Sequence, residues 1–169
     1  MRTDERTVTV RKVRRRDADS VIRLWQGIAD ERKFVVTERV SPERRKRWIR
    51  SIDDSGLLWI LAEAGEELAG TLTLSRYGNL AKTKHIRELE IGIAKPFRGI
   101  GVGTALMDCA IRWADRRKVK KVILSVFSTN GRALSLYKKF GFLREGTRKK
   151  QYLIDGEYVD EVMMGRFVQ

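Results

Sequence analysis

Apolar positions along the 169-residue chain switch repeatedly between two spacings, and the switching predicts alternating strands and helices. Val8, Val10 and Val13 mark a short strand from Thr7 to Arg14, interrupted by basic residues. Val21, Leu24, Trp25 and Ile28 then fall at i, i+3, i+4 and i+7, one stripe of a helix. The carboxylate of Asp17 or Asp19 can cap its first turn by accepting orphan N–H groups. Ser41-Pro42 pairs a serine cap with a proline in the first turn and predicts a second helix to about Asp53. Trp48, Ile49 and Ile52 would form its buried face.

The spacing then shortens. Leu57 to Ala64 and Leu68 to Arg76 read as a hairpin around Gly65-Glu66-Glu67. A polar stretch from Tyr77 to Lys84 leads to a strand in which Leu89, Ile91 and Ile93 alternate. Arg98 to Gly103 is a glycine-rich turn, followed by a helix with Val102, Leu106, Cys109, Ala110 and Trp113 on one face. Val119 to Val126 is β-branched and strand-like, Ala133 to Phe140 a short helix, and Asp155-Gly156 the turn of a final hairpin. Helices between strands, with hairpins at both ends, predict an α/β (α+β mixed) domain: a mixed sheet covered by helices. No repeat, linker or low-complexity tract divides residues 1–169, so a single domain is expected.

Composition narrows the picture. A hydrophobic fraction of 42% and a mean hydropathy of −0.39 fit a folded globular chain and exclude a disordered one. No apolar run reaches the roughly 20 residues of a membrane helix. The opening MRTDERTV is charged and lacks an apolar region, so no secretory signal is expected and the cytoplasm is the expected compartment. Cys109 is the only cysteine and His85 the only histidine, which excludes an internal disulfide and a Cys- or His-rich metal site. Cys109 lies on an apolar helix stripe and reads as packing.

The net charge is +14, from 36 Lys and Arg against 22 Asp and Glu. That excess favours anionic partners: nucleic acid, ribosomes, a membrane surface or a phosphorylated cofactor. It also fits a solvated, ion-paired surface like that of proteins from hot environments, because the charge is spread over Arg14–Arg16, Arg44–Arg47 and Arg148–Lys150. No zinc-finger, RNP or KH string supports a nucleic-acid module.

Chemistry concentrates in Pro96-Phe97-Arg98-Gly99-Ile100-Gly101-Val102-Gly103. A glycine-rich turn between a strand and a helix start is an anion site, since the first helical N–H groups lack partners and carry the positive dipole end. The string is neither a P-loop, which needs G-x-x-x-x-G-K-[ST], nor a Rossmann fingerprint, which needs G-x-G-x-x-G. It fits R/Q-x-x-G-x-G/A, with Arg98, Gly101 and Gly103 at the defined positions, and here the chain resembles the GNAT superfamily of acetyl-CoA-dependent N-acetyltransferases. Glu88-Leu89-Glu90-Ile91-Gly92-Ile93 resembles that family's central strand. Asn130, Ala133, Leu136, Tyr137, Gly141 and Phe142 resemble its N-x-x-A-x-x-L-Y-x-x-x-G-F segment. The order of strands and helices matches over residues 7 to 167.

The resemblance implies a single-domain fold with a central, mostly antiparallel sheet of about seven strands flanked by about four helices. It implies direct transfer of an acetyl group from acetyl-CoA to a primary amine of a small molecule or protein, without a metal. Backbone groups of Ile91, Gly92 and Ile93 would pair with the pantetheine arm. Amides of Arg98, Gly99, Ile100, Gly101, Val102 and Gly103, with Thr104 beside them, would hold the pyrophosphate, and Asn130 would contact the cofactor from the other side. Tyr137 holds the position of the general acid. Glu88 and Glu90 are the candidate bases, with Glu88 slightly ahead on resemblance to the family strand. Strict alternation puts the two on one face, whereas a bulge, common in this strand of the family, would separate them. Asp30, Glu31 and Glu38 could line an acceptor site for a cationic amine, but ordinary surface charge is the favoured reading. The acceptor itself is left open, as is a homodimer. The rival functions are a non-catalytic CoA-binding module and an acetyltransferase of a ribosomal or nucleic-acid-associated protein.

Overall fold

A computed structural model describes residues 7–35, 41, 47, 50–51 and 56–168. In chain order the elements are β1 (Val8–Lys12), α1 (Ala18–Asp30), β2 (Leu58–Ala64), β3 (Glu67–Arg76), β4 (Ile86–Ile93), α2 (Val102–Arg116), β5 (Lys121–Phe127), α3 (Gly131–Lys139), β6 (Leu143–Ile154) and β7 (Glu157–Phe167). The strands make one seven-stranded sheet in the order β1-β2-β3-β4-β5-β7-β6. Every neighbouring pair is antiparallel except β4–β5. The mixed, mostly antiparallel sheet is therefore as expected. Three α-helices of eight or more residues occur among the described residues, against about four expected. The helix predicted from Ser41-Pro42 to Asp53 lies largely outside the described residues; Arg47, Arg50 and Ser51, which are described, are helical.

Alternation along the strands sends apolar side chains to both faces of the sheet, and each face finds helices. The larger core, with Leu72, Leu74, Leu89, Val122, Leu124 and Met164 from the sheet, packs on Val102, Leu106, Met107 and Ala110 of α2. Each fully buried Leu or Val contributes roughly 1.5–3 kcal/mol relative to exposure. Cys109 packs against this cluster. On the other face Val21 of α1 meets Val13, Trp59 and Leu61. Gly92 permits this contact, because a Cβ there would come within 2.8 Å of Ile28 and 3.2 Å of Trp25. The final hairpin turns at Asp155-Gly156 with φ of 49° and 86°, the left-handed pair that a two-residue turn requires. No described helix is long and apolar enough to cross a membrane.

Asp17 immediately precedes α1, as expected of a cap, but its carboxylate does not cap that helix. It accepts from the Arg14 backbone N–H at 2.7 Å and from both Nη1 and Nη2 of Arg11, at 2.7 and 2.9 Å. Arg11 also donates to Glu63 on β2. A guanidinium offers donors in a fork that a helix N–H cannot match, so the carboxylate turns to it and ties β1, β2 and the entry to α1 together. The Arg11 hydrogen bonds hold the Asp17 pKa below its ordinary value against the opposing effect of burial. A depressed carboxylate pKa stabilises the fold above the unfolded value near 4, and the contribution is lost as pH falls through the folded value. Asp17→Asn is expected to lower stability by about 1–3 kcal/mol at pH 7. In urea melts its difference from the parent should shrink as the pH is taken below about 4.

Candidate functional site

The parallel pair β4–β5 is short. His85 accepts from the N–H groups of Lys120 and Lys121, and the register then runs Ile86↔Lys121, Arg87↔Val122 and Glu88↔Ile123. Beyond these residues the strands part. β4 stays paired with β3 as far as Ile93, and β5 with β7 as far as Phe127, so each is anchored on its outer edge. Their inner edges, from Leu89 on β4 and Leu124 on β5, have no strand between them. A backbone edge of this kind needs a hydrogen-bonding partner, and an extended ligand bearing amides supplies one.

The opening is a cleft of about 770 Å³ that passes through the sheet. On the α2–α3 side it is lined by Val126, Ala133, Leu136 and Tyr137. Glu88 pairs with Ile123, so Glu88, Glu90 and Gly92 share a face with Ile123, Ser125 and Phe127. That is the α1 face, where Trp25, Phe34, Glu90, Phe127, Tyr152 and Glu161 line the cleft.

The glycine-rich turn lies at one end of the cleft. Pro96 sits in a short 3-10 turn, Lys95–Phe97, whose Phe97 is buried in the core and pins the turn. Gly99 and Gly101 then adopt φ of 88° and 93°. A side chain at either would strain the backbone, and neither position has a neighbour within 4 Å of a Cβ. The result is an exposed glycine turn feeding directly into the N-terminus of α2, whose dipole and unpaired N–H groups favour an anion. Gly103 has another role: a Cβ there would come 3.0 Å from both Ile93 and Leu136. Thr104 and the half-exposed Ile100 flank this turn, and Val102 belongs to the core.

Arg98 is spent on structure. Its Nε donates to the Ile93 carbonyl at 3.0 Å, and its two terminal nitrogens donate to Glu31 at 2.6 and 2.8 Å. Its guanidinium lies 4.7 Å from the centroid of the Phe34 ring. Its backbone N–H turns back to the Lys95 carbonyl. Glu31, favoured as surface charge from the sequence, is therefore a partly buried strut, with its pKa held down by the Arg98 hydrogen bonds. Asp30 accepts from Gln26 at the surface, and Glu38 lies outside the described residues.

Tyr137 is 6% exposed, and its hydroxyl, without a protein acceptor among the described residues, opens on the cleft. Burial pushes its pKa up, which keeps the phenol protonated. Asn130 caps α3, its Oδ1 accepting from Ala133 N–H at 3.2 Å, and it also lines the cleft. The β3–β4 register runs without a shift from Arg76↔Arg87 to Gly70↔Ile93. The bulge considered from the sequence is therefore absent and the two glutamates share a face. Only Glu90 lines the cleft. Glu88 lies where β4 and β5 are still paired, and partial burial, reinforced by the like charge of Glu90, raises its pKa.

Glu161 was not singled out from the sequence. It is 6% exposed, sits opposite Phe127 on β7, and accepts from Arg148 Nη1 at 2.6 Å and from the Tyr152 hydroxyl at 3.2 Å. Burial alone would raise its pKa, but the nearby donors, Arg148 foremost, outweigh that and leave it lowered. The signal in the sequence was its place two residues from Val159 and Met163, a carboxylate at an inward-facing position of a strand. Among the described residues no cluster of His, Cys, Asp and Glu could hold a metal ion.

Comparisons with known proteins agree with this geometry. The model of the acetyltransferase (GNAT) family matches residues 22–142. The chain is 34% identical over 118 residues to the L-amino acid N-acetyltransferase AaaT of Escherichia coli, covering 69% of this chain and 72% of that protein. It is 33% identical over 118 residues to an N-alpha-acetyltransferase of Sulfolobus acidocaldarius, covering 65% and 70%. Among solved structures, a phosphinothricin acetyltransferase from Sinorhizobium meliloti in complex with AcCoA superposes with a TM-score of 0.87 at 18% identity, covering 96% of this chain and 89% of that one. The chain belongs to the acetyltransferase (GNAT) family, and it is an N-acetyltransferase that takes its acetyl group from acetyl-CoA.

Proposed function

We propose that Glu90 takes the proton from the acceptor amine and Tyr137 gives one to the departing sulfur, the whole chain 1–169 acting as one transferase domain. The observation that carries this reading is a single cleft through the sheet with Glu90 on one face and the Tyr137 hydroxyl opening from the other. Acetyl-CoA supplies the acyl group and a thiolate leaving group. The protein groups suited to hold it are the backbone edge around Ile91 and Gly92, the glycine turn with the first N–H groups of α2, and the Asn130 side-chain amide. The Ile93 carbonyl is already engaged by Arg98, which leaves the earlier part of the edge for the pantetheine arm.

A base is needed because an alkyl amine with a pKa near 10.4 is a free base in only about one molecule in a few thousand at pH 7, a deficit of roughly 4.6 kcal/mol. An exposed carboxylate at the cleft wall can receive that proton and release it to solvent. The acid must remain protonated until the sulfur departs, and a buried phenol with a raised pKa does so across the neutral range. Trp25, Ile28 and Phe34 wall the α1 side with apolar surface, which limits water at the reacting centre.

Acetyl-CoA at about 100 times its dissociation constant should stabilise the fold by roughly 2.7 kcal/mol, a rise in melting temperature of about 5–10 °C. Gly101→Val, which strains the turn, should lose most of that rise. A melting temperature that does not move in the parent protein would count against the cofactor site.

Tyr137→Phe should lower kcat by about 100-fold or more while acetyl-CoA affinity stays nearly constant, because only a hydroxyl is removed. Single-turnover rates and calorimetric titration measure the two quantities. An unchanged chemical step would leave Tyr137 as packing.

Glu90→Gln should slow transfer at pH 7, whereas Glu88→Gln should have little effect. Between pH 9 and 10 the free amine becomes about 100- to 1,000-fold more abundant than at pH 7, so the Glu90→Gln defect should shrink there. Equal rate profiles for both variants from pH 6 to 10 would remove the assignment.

A further inference from the structure

Two basic stretches without an acid meet at the end of the sheet remote from the glycine turn. Lys82-Thr83-Lys84-His85-Ile86-Arg87 leads into β4, and Arg116-Arg117-Lys118-Val119-Lys120-Lys121 joins the end of α2 to the start of β5. The His85 carbonyl ties them together, accepting from the N–H groups of Lys120 and Lys121 at 3.1 and 3.3 Å. Lys82, Lys84, Arg116, Lys118 and Lys120 are exposed, and none makes an ion pair among the described residues. A helix C-terminus favours a basic residue or two, which accounts for Arg116 and Arg117. It does not account for Lys82 and Lys84, which a separate loop brings. That loop is held in place: the Thr83 hydroxyl donates to the Tyr77 carbonyl at 2.8 Å, and Arg87 Nη1 to the Lys84 carbonyl at 2.9 Å. This patch is distinct from the anion site at the glycine turn. The 15 residues of α2 separate the two by about 22 Å.

Beside the lysines the sheet presents rings. The Tyr77 N–H donates to the Ile86 carbonyl and so extends the β3–β4 ladder by one residue. Ile86 is the register partner of Lys121, and Lys121 of Phe167. Tyr77, Ile86, Lys121 and Phe167 therefore form one row across four neighbouring strands, all on one face, with the two rings roughly 14 Å apart. Tyr77 is 43% exposed and Phe167 71%, so no helix covers the row. The acid beside it, Glu145, is paired with Lys121 at 2.7 Å, and the Lys121 ammonium lies 5.4 Å from the Phe167 ring centroid. Glu88 lies two residues further along β4, toward the cleft.

Exposed rings on an open sheet face stack bases, and unpaired cations along its rim neutralise phosphates. An acidic protein would engage the lysines and leave the rings idle, and a duplex keeps its base faces stacked on one another. A single strand uses both. The row is assembled from four strands, which is why no contiguous string in the sequence carries it.

We propose that this end of the sheet binds single-stranded nucleic acid, with bases stacked on Tyr77 and Phe167 and phosphates held by Lys82, Lys84, Lys118 and Lys120. The surface is separate from the transfer cleft, and the proposal does not rest on the roles of Glu90 and Tyr137.

Fluorescence anisotropy tests it, with a labelled 12-nucleotide oligouridine titrated with the full chain at several salt concentrations. The logarithm of affinity should fall with the logarithm of salt at a slope of about −3, from roughly −0.7 for each of four neutralised phosphates. The double variant Lys118→Gln/Lys120→Gln should reduce that slope by about 1.4 and weaken binding about 10- to 30-fold at 0.1 M salt. Tyr77→Ala and Phe167→Ala should each weaken binding by about 5- to 100-fold with the slope unchanged, because stacking releases no counterions. Lys138→Gln/Lys139→Gln removes the same charge from the exposed end of α3 and should change affinity by less than about threefold. Saturating acetyl-CoA should leave oligouridine affinity unaltered. Melting temperatures within a few degrees of the parent report that each variant is folded.

Four results would overturn the assignment. Equal losses in the two double-lysine variants would reduce it to diffuse attraction by net charge. Full affinity in both ring variants, or equal affinity for a duplex, would remove the stacking surface. Displacement of oligouridine by acetyl-CoA would place the strand at the glycine turn. Sedimentation with phosphatidylserine vesicles by a protein that leaves oligouridine unbound would assign the patch to a membrane surface.

Discussion

Strands β4 and β5 pair over three register positions and then diverge, each retained by its other neighbour, and the functional organisation of the molecule depends on that divergence. A continuous sheet would satisfy the inner edges of both strands and separate its two faces completely. The opening leaves backbone groups in need of a partner and joins a face covered by α2 and α3 to one covered by α1. Under the proposed function, a cofactor arm threaded there would complete the hydrogen bonding of the sheet. The same opening gives Glu90 on one face and Tyr137 on the other access to one cleft.

The two ends of this gap are built by different physical means. At the glycine turn the backbone does the work: left-handed glycines and a helix N-terminus provide partial positive charge without a side chain. The motif's arginine, which could have supplied full charge, is directed to Glu31, the Ile93 carbonyl and the Phe34 ring. It thereby links the glycine turn to the segment after α1, whose Phe34 lines the cleft. Bidentate pairing in a partly buried setting is directional, so this link fixes geometry more than it adds stability.

Around Glu161 the side chains matter. A buried carboxylate such as Glu161 is costly unless it is hydrogen-bonded, and here Arg148 and Tyr152 donate to it. Such a group restrains its donors, Arg148 and Tyr152, in turn.

Much of this was legible in the chain itself. Period-2 and period-3.6 patterns located the strands and the helices with apolar stripes to within a few residues, because those patterns reflect which face each element buries. The glycines of the turn and the Asp155-Gly156 hairpin were readable because positive φ restricts the residue type. Family resemblance added the catalytic roles of Tyr137, Glu88 and Glu90 as expectations. The pattern did not disclose where β4 and β5 stop pairing, and this alone separates Glu90 from Glu88. Nor did it disclose that Glu31 meets Arg98 or that Glu161 gathers Arg148 and Tyr152. Local sequence sets the period, turns and caps because these depend on neighbours along the chain; strand register and the pairing of distant charges were decided only when tertiary packing brought separate segments together.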